Sequence, residues 1–259
     1  MKQPLRMITS LTNAKVKYVR RLQAERRFRQ EVRAFVVEGT RWLTELSRPE
    51  QLFYTATWAA RPEHQPLLQP FLPLADLVSE EVMQAMSNTE TPAGVLAILP
   101  FPNLPFPPHP HRLLILDQIR DPGNLGTILR TSTAAGVSGV LLAPGCVDPF
   151  NPKVIRSGMG AHLRLPFRPE SWEAIAQLTA DHPIWLADAN GQLPYTAVDW
   201  TRPAALIIGN EARGGGSQAE QLATGRIAIP MHTATESLNA AMATAIILFE
   251  ALRQTTPTP

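Results

Sequence analysis

Three stretches of this sequence hold residues whose types and spacing suit chemistry on an anionic substrate. The first reads DQIRDPGNLGTILRTSTAAG from Asp117, where the Asp121-Pro-Gly-Asn124 turn opens a helix expected to bury Leu125, Ile128 and Leu129. Two helical steps place Arg130 about 200° round from Ile128, on the open face. A guanidinium there can hold a phosphate or an anionic oxygen, although a lone exposed arginine is more often just surface. The second stretch, GNEARGGG from Gly209, can bring backbone close to a ligand and offers the Glu211 carboxylate. It lacks the Lys-Ser/Thr of a P-loop and the spacing of a dinucleotide fingerprint, so alone it is only a glycine-rich turn. The third runs from Ile227-Ala-Ile-Pro-Met231 to Ser237-Leu-Asn239 at the start of the last helix. Ser237 and Asn239 suit helix capping by themselves; the three loops gain weight together, because all are expected at one edge of one sheet.

The elements that must position these loops follow from the apolar pattern. After residue 112, continuous apolar runs alternate with helical patterns, the mark of a parallel sheet covered on both faces. The expected strands are Leu113 to Leu116, Gly139 to Leu142, Ile184 to Ala187, Ala205 to Ile208 and Arg226 to Ile229, and ligands bind such sheets beyond the carboxyl ends of the strands. Helices are expected over Asn124 to Ala135, Glu170 to Thr179 and Ser237 to Arg253. In the last, Leu238, Ala241, Met242, Ala245, Ile246, Phe249 and Leu252 recur at three- and four-residue steps. Thr233-Ala-Thr-Glu236 has the form of a capping box before it.

Pro100 to Arg112 contains six prolines in thirteen residues, which excludes a helix interior and predicts an extended connector. It divides the chain into residues 1–99 and 113–259. His109 and His111 lie within it and read as linker histidines; no metal site is expected. The leading part is expected to be a small α/β domain, with a basic helix over Asn13 to Arg29, a strand at Phe35 to Val37 and a helix over Gly39 to Ser47. A strand at Leu52 to Ala56, a helix over Ser79 to Met86 and a strand at Ala93 to Leu99 follow. Residues 1–48 hold twelve Lys or Arg against four Glu, whereas the other residues hold twelve basic against eighteen acidic. That asymmetry suits a polyanion partner, and equally a solvated helix face.

With 259 residues, 44% hydrophobic and 18% charged, the chain can bury a core without staples, which excludes disordered and fibrous classes. The single cysteine, Cys146, excludes an internal disulfide and a cysteine-rich zinc site. No secretory signal follows Met1 to Arg6, and the longest uncharged stretch, Thr131 to Val147, is too short and punctuated to span a bilayer. A cytoplasmic protein without a membrane partner is expected.

The three loops resemble the signature motifs of the SpoU (TrmH-type) family of RNA ribose methyltransferases in the SPOUT superfamily. DPGNLGTILRTSTAAGV is similar to motif one, ALIIGNEARGGG to motif two and IAIPMHTATESLNAAMATAIILFEALR to motif three, in the family's order. RSGMGAHLRLPF, from Arg156 to Phe167, resembles the segment between motifs one and two. Ser10, Asn13, Lys15 and the FVVEG of Phe35 to Gly39 resemble the family's small N-terminal RNA-binding domain. The resemblance implies an α/β fold: a parallel-sheet SPOUT catalytic domain with a C-terminal trefoil knot, preceded by a small α/β RNA-binding domain. It implies a homodimer that uses S-adenosyl-L-methionine to methylate a ribose 2′-hydroxyl of structured RNA. Ribosomal RNA is favoured and transfer RNA is the alternative. Carried over by motif position, Arg130, Asn124, Glu211, Asn239 and Ser237 are the catalytic set. Gly209, Ile229, Met231, Leu238, Ala187 and Asp188 line the cofactor site. Lys15, Lys17, Arg20, Arg21, Arg26 and Arg27 grip RNA. Gly214 to Gly216 depart from the family, which has one glycine and then a bulky apolar residue; the run is expected to loosen that loop.

The chemistry suits these residues. A ribose hydroxyl is a poor nucleophile, and a sulfonium methyl donor needs no metal, so catalysis rests on alignment and on easing the proton away. Family accounts give the proton to the motif-one arginine, but guanidinium groups stay protonated in proteins, so a role in binding phosphate and stabilising the alkoxide fits Arg130 better. A non-catalytic RNA-binding or ribosome-assembly protein of the same fold predicts loss of Asn124, Arg130 or Glu211, and all three are present. A nicotinamide-dependent dehydrogenase predicts G-x-G-x-x-G after the first strand, where this chain has D-P-G-N-L-G.

Overall fold

Alternation of side chains along residues 95–99 organises the first part of the molecule. The computed structural model describes residues 7–45, 49–210, 214–232 and 238–256. Its chain divides into two units, residues 1–102 with 150–156 and residues 103–149 with 157–259. The leading unit contains α1 (Ala14–Ala24), α2 (Arg26–Val32), β1 (Ala34–Glu38), α3 (Thr40–Leu43), β2 (Gln51–Thr55), α4 (Ala56–Ala59), α5 (Gln65–Leu68), β3 (Ala75–Val78), α6 (Glu80–Met86) and β4 (Val95–Pro100). Its sheet has the order β1-β4-β2-β3, antiparallel except between β2 and β3. Leu96 and Ile98 of β4 join Val16 and Val19 of α1 and Met83 of α6 in one apolar layer; Val95 joins Leu52, Tyr54 and Trp58 in another. Period-two alternation thus covers both sheet faces.

The basic stretch expected as one helix is two. Asn13 caps α1 by accepting the Lys15 N–H at 2.8 Å, and Glu25 leaves the helix with φ −108° and ψ 107°. The break turns Arg29 inward, where it is 3% exposed and its Nη1 donates to the carbonyls of Leu22 at 2.6 Å and Gln23 at 3.3 Å. A cation there satisfies orphan carbonyls and meets the negative end of the α1 dipole. The helix expected over Gly39 to Ser47 spans only Thr40–Leu43, and residues 46–48 lie outside the described ones. Glu38, in the FVVEG stretch, accepts from Ser87 Oγ at 2.8 and 2.9 Å, Thr89 Oγ1 at 3.2 Å and the Ala93 N–H at 2.9 Å, and so orders the loop before β4.

After the proline-rich stretch come β5 (Arg112–Leu116), α7 (Pro122–Ala134), β6 (Gly139–Leu142), α8 (Pro152–Gly158), β7 (Phe167–Pro169), α9 (Trp172–Leu178), β8 (Ile184–Ala187), β9 (Leu193–Pro194), β10 (Ala204–Ile208), α10 (Ser217–Leu222), β11 (Gly225–Ala228) and α11 (Ala240–Thr255). Strands β5 to β11 make one sheet in the order β7-β6-β5-β10-β8-β11-β9, with every pair parallel. The five expected apolar strands are all present. β7 and β9 were not expected, being too short for a run of apolar residues to announce them. Residues 150–156, which the sequence reading assigns to the trailing domain, cluster with the leading unit, where Phe150 stacks on Phe101 with ring centroids 3.7 Å apart.

Two features of this sheet's helices depart from the periodic reading. α11 buries Ala240, Ala241, Thr244, Ile247, Leu248 and Ala251, so of the stripe read from the sequence only Ala241 is buried, and Met242, Ile246 and Phe249 are exposed. The helix is apolar nearly all round, and periodicity alone cannot choose between its faces. Arg112, at the opposite end of the sheet from the motif loops, is buried. It donates to the carbonyls of Ala135 at 2.9 Å and Ala251 at 3.0 Å, tying down the C-terminal ends of α7 and α11. Burial lowers its pKa from the usual arginine value. Among the described residues no helix is long and apolar enough to cross a membrane.

Candidate active site

Parallel strands deliver their following loops to one edge, so the loops after β5, β10 and β11 emerge together. Asp121 caps α7 by accepting the Asn124 N–H at 2.8 Å, with Pro122 in the first turn, where its missing N–H costs nothing. Asn239 caps α11, accepting from the N–H groups of Ala241 at 2.9 Å and Met242 at 3.3 Å. Its Nδ2 donates to Asn124 Oδ1 at 3.0 Å, so two expected catalytic residues 115 positions apart are joined at the paired starts of α7 and α11.

Arg130 lies on the exposed face of α7. Among the described residues its guanidinium takes no hydrogen-bond or ion-pair partner. Glu211 and Ser237 lie outside the described residues, as does the expected capping box of Thr233 to Glu236.

Beside the asparagine pair is a cavity of about 440 Å³. Gly209, Ile229, Met231, Leu238, Ala187 and Asp188, the six residues expected to hold the cofactor, all line it. Its volume falls in the range of small-molecule sites, and Ile208, Ile227, Leu238 and Ile247 give it apolar walls. Asp188, Glu220 and Arg226 give it a charged side: Arg226 pairs with Asp188 at 3.0 Å and with Glu220 at 3.2 Å. The sequence reading missed Asn190, Asn210, Glu220 and Arg226 as lining residues. Nothing in their local spacing announces them, since they meet only when the sheet assembles.

The glycines of the second loop permit tight closure. A Cβ on Gly209 would lie 2.3 Å from the backbone carbonyl group of Gly214, and Gly214 itself has φ +67°. Asn210 and Gly214 exchange backbone hydrogen bonds of 3.0 and 2.8 Å, and the Gly216 N–H donates to Asp117 Oδ2 at 2.7 Å. The glycine run expected to loosen this loop is therefore pinned on both sides of residues 211–213.

The expected RNA-binding residues sit on α1 and α2 of the leading unit. Lys15 pairs with Asp76 at 2.5 Å; Arg21 pairs with Glu25 at 3.2 Å and lies 3.8 Å from the centre of the Phe28 ring. Lys17, Arg20, Arg26 and Arg27 are exposed and, among the described residues, have no acidic partner.

Comparison with known proteins is consistent along the chain. The SpoU rRNA methylase family model matches residues 111–249, and the MRM3-like substrate binding domain model matches residues 13–97. An uncharacterized tRNA/rRNA methyltransferase of Synechocystis sp. is 37% identical over 260 residues, covering 95% of this chain and 93% of that protein. The 23S rRNA (guanosine(2553)-2′-O)-methyltransferase of Bacillus subtilis is 28% identical, covering 95% and 98%. The human mitochondrial rRNA methyltransferase 3 is 36% identical, but this chain spans only 57% of its length. Among solved structures, the AdoMet-bound rRNA methyltransferase of Sinorhizobium meliloti superposes with a TM-score of 0.86 at 29% identity, covering 97% of this chain and 99% of that one.

Proposed function

The chain belongs to the SpoU rRNA methylase family, and from that we propose that it methylates a ribose 2′-hydroxyl of structured RNA, ribosomal RNA in the first instance, using S-adenosyl-L-methionine. The observation that carries this reading is one cavity lined from the second and third motif segments, with Asn239, between the lining residues Leu238 and Ala240, bonded to Asn124 of the first motif. The cavity's size, its apolar walls and its charged Asp188 side fit a nucleoside with an amino-acid tail. When bound, S-adenosylmethionine supplies a methyl group already activated on a sulfonium.

The chain's residues then have to align and deprotonate the hydroxyl. Arg130 holds the target phosphate and 2′-oxygen and stabilises the alkoxide as its proton passes to solvent water, the 2′-oxygen then taking the methyl group and leaving the donor as the S-adenosylhomocysteine thioether. Asn124 and Asn239 fix the starts of the two helices beside the reacting group, with Glu211 and Ser237 completing the set from their loops. Backbone and side chains at Gly209, Ile229, Met231, Leu238, Ala187 and Asp188 hold the methyl donor. Lys15, Lys17, Arg20, Arg21, Arg26 and Arg27 grip the RNA backbone, supplying affinity while RNA shape and unstacked bases supply specificity. The C-terminal region forms a trefoil knot, residues 1–99 and 113–259 are the RNA-binding and catalytic domains, and the enzyme is a cytoplasmic homodimer. The exposure of Met242 at 58% and Phe249 at 48% on α11 supports a second copy covering that helix.

The test is incubation of the purified protein with methyl-labelled S-adenosylmethionine and either ribosomal or transfer RNA, followed by nuclease digestion and mass spectrometry. A 2′-O-methylnucleoside in ribosomal RNA is expected. Methylation of transfer RNA alone would move the substrate, and label on a base or on neither RNA would overturn the reading.

A further inference from the structure

The exit of β5 holds Asn210 and Gly216, which flank or adjoin the cavity-lining Gly214 and Gly215. Asp117 is 2% exposed, and its Oδ2 accepts the Gly216 N–H at 2.7 Å. The adjacent Gln118 has φ +53°, a left-handed conformation that strains a non-glycine residue, and its backbone carbonyl accepts from Asn210 Nδ2 at 3.2 Å. Asn210 begins the loop and Gly216 ends it, while Asn210, Gly214 and Gly215 line the cavity. The fit is close at the far end as well: a Cβ on Gly216 would lie 3.2 Å from Asp117 Oδ2 and 3.3 Å from Gln118 Nε2.

A buried carboxylate at a loop junction is costly unless hydrogen-bonded, and here its bond goes to the backbone N–H of Gly216, just before α10 begins. Resting on the proposed function, we infer that Asp117 is a positioning residue for the methyl-donor cavity. Together with the Gln118 carbonyl, it sets the register of Asn210 and of Gly214 to Gly216 against the motif-one loop. Asp117 does not line the cavity; it acts through Gly216 on the adjoining Gly214 and Gly215, while Gln118 acts through Asn210.

The experiment is isothermal titration of the full-length protein with S-adenosylhomocysteine, comparing the unsubstituted chain, Asp117→Ala and Asp117→Asn. Titration separates Kd from the number of competent sites, so a variant that is merely less stable loses sites without losing affinity. Removing a charge-assisted hydrogen bond predicts a Kd about tenfold weaker for Asp117→Ala. Asp117→Asn keeps an acceptor oxygen and recovers most of the affinity. An unchanged Kd for Asp117→Ala, or equal losses in both variants, overturns the inference alone. No binding by the unsubstituted chain overturns it together with the proposed function.

Discussion

Asn239 does two jobs with one side chain. Its Oδ1 caps α11 and its Nδ2 reaches Asn124, so an asparagine within the third motif also contacts the start of α7. Arg130 is different, because it does not line the cofactor cavity and leans on no acidic neighbour among the described residues. Its proposed contribution is contact with RNA. Arg130→Ala is expected to lower the single-turnover methylation rate about 10²-fold or more, while S-adenosylhomocysteine binds as before. A variant that keeps full rate with bound RNA removes Arg130 from the reaction. At this scale motif spacing placed Asn124 and Asn239 at two helix starts, where the structure joins them, whereas Arg130 draws its weight only from its motif, since an arginine on an open helix face is ordinarily surface. Asp117 was not legible, since an aspartate at a strand end looks like any turn residue until Gly216, 99 positions later, is seen to donate to it.

Elements were legible where burial forces a continuous apolar run, as in β5 and β10, whose residues are all buried. They were less so where a single side chain redirects the backbone. Arg29 reads as one more cation on a basic helix, yet past the break at Glu25 it caps α1 from inside. Glu38 reads as part of a strand-end motif, and its use is to order residues 87–93. Arg112 looks like the end of a linker and is instead a buried tie between two helix C-termini. Arg112→Met keeps the volume and removes the donors, leaving the carbonyls of Ala135 and Ala251 without this partner. A loss of about 3 kcal/mol in unfolding free energy is expected by denaturant titration. Because Arg112 lies at the end of the sheet away from the cavity, the Kd for S-adenosylhomocysteine should hold. A stability change within error shows that the two helix ends need no such tie.

For the molecule as a whole, charge and apolar surface are unevenly spread, and each asymmetry points outward. The +8 balance of residues 1–48 against −6 elsewhere is the charge asymmetry on which the proposed RNA grip rests. If Lys17, Arg20, Arg26 and Arg27 each neutralise a phosphate, replacing all four with glutamine should lower the slope of log affinity against log salt by about 3. An unchanged slope places the RNA path elsewhere. The second asymmetry is the stripe of Met242, Ile246 and Phe249, at i, i+4 and i+7 along α11. Sequence periodicity singled out this stripe, and within one chain it faces outward, while the opposite face packs inside. A helix apolar on two sides needs two partners, and α7 supplies only one of them. A second copy of the chain is the economical supplier, because a stripe on one helix can meet its own image across a two-fold axis. Sedimentation velocity should therefore find a dimer for the unsubstituted protein and a monomer for the Ile246→Glu, Phe249→Glu double variant, which places two like-charged carboxylates in the middle of that contact. A monomer in the first case, or a dimer surviving in the second, removes this face from the assembly.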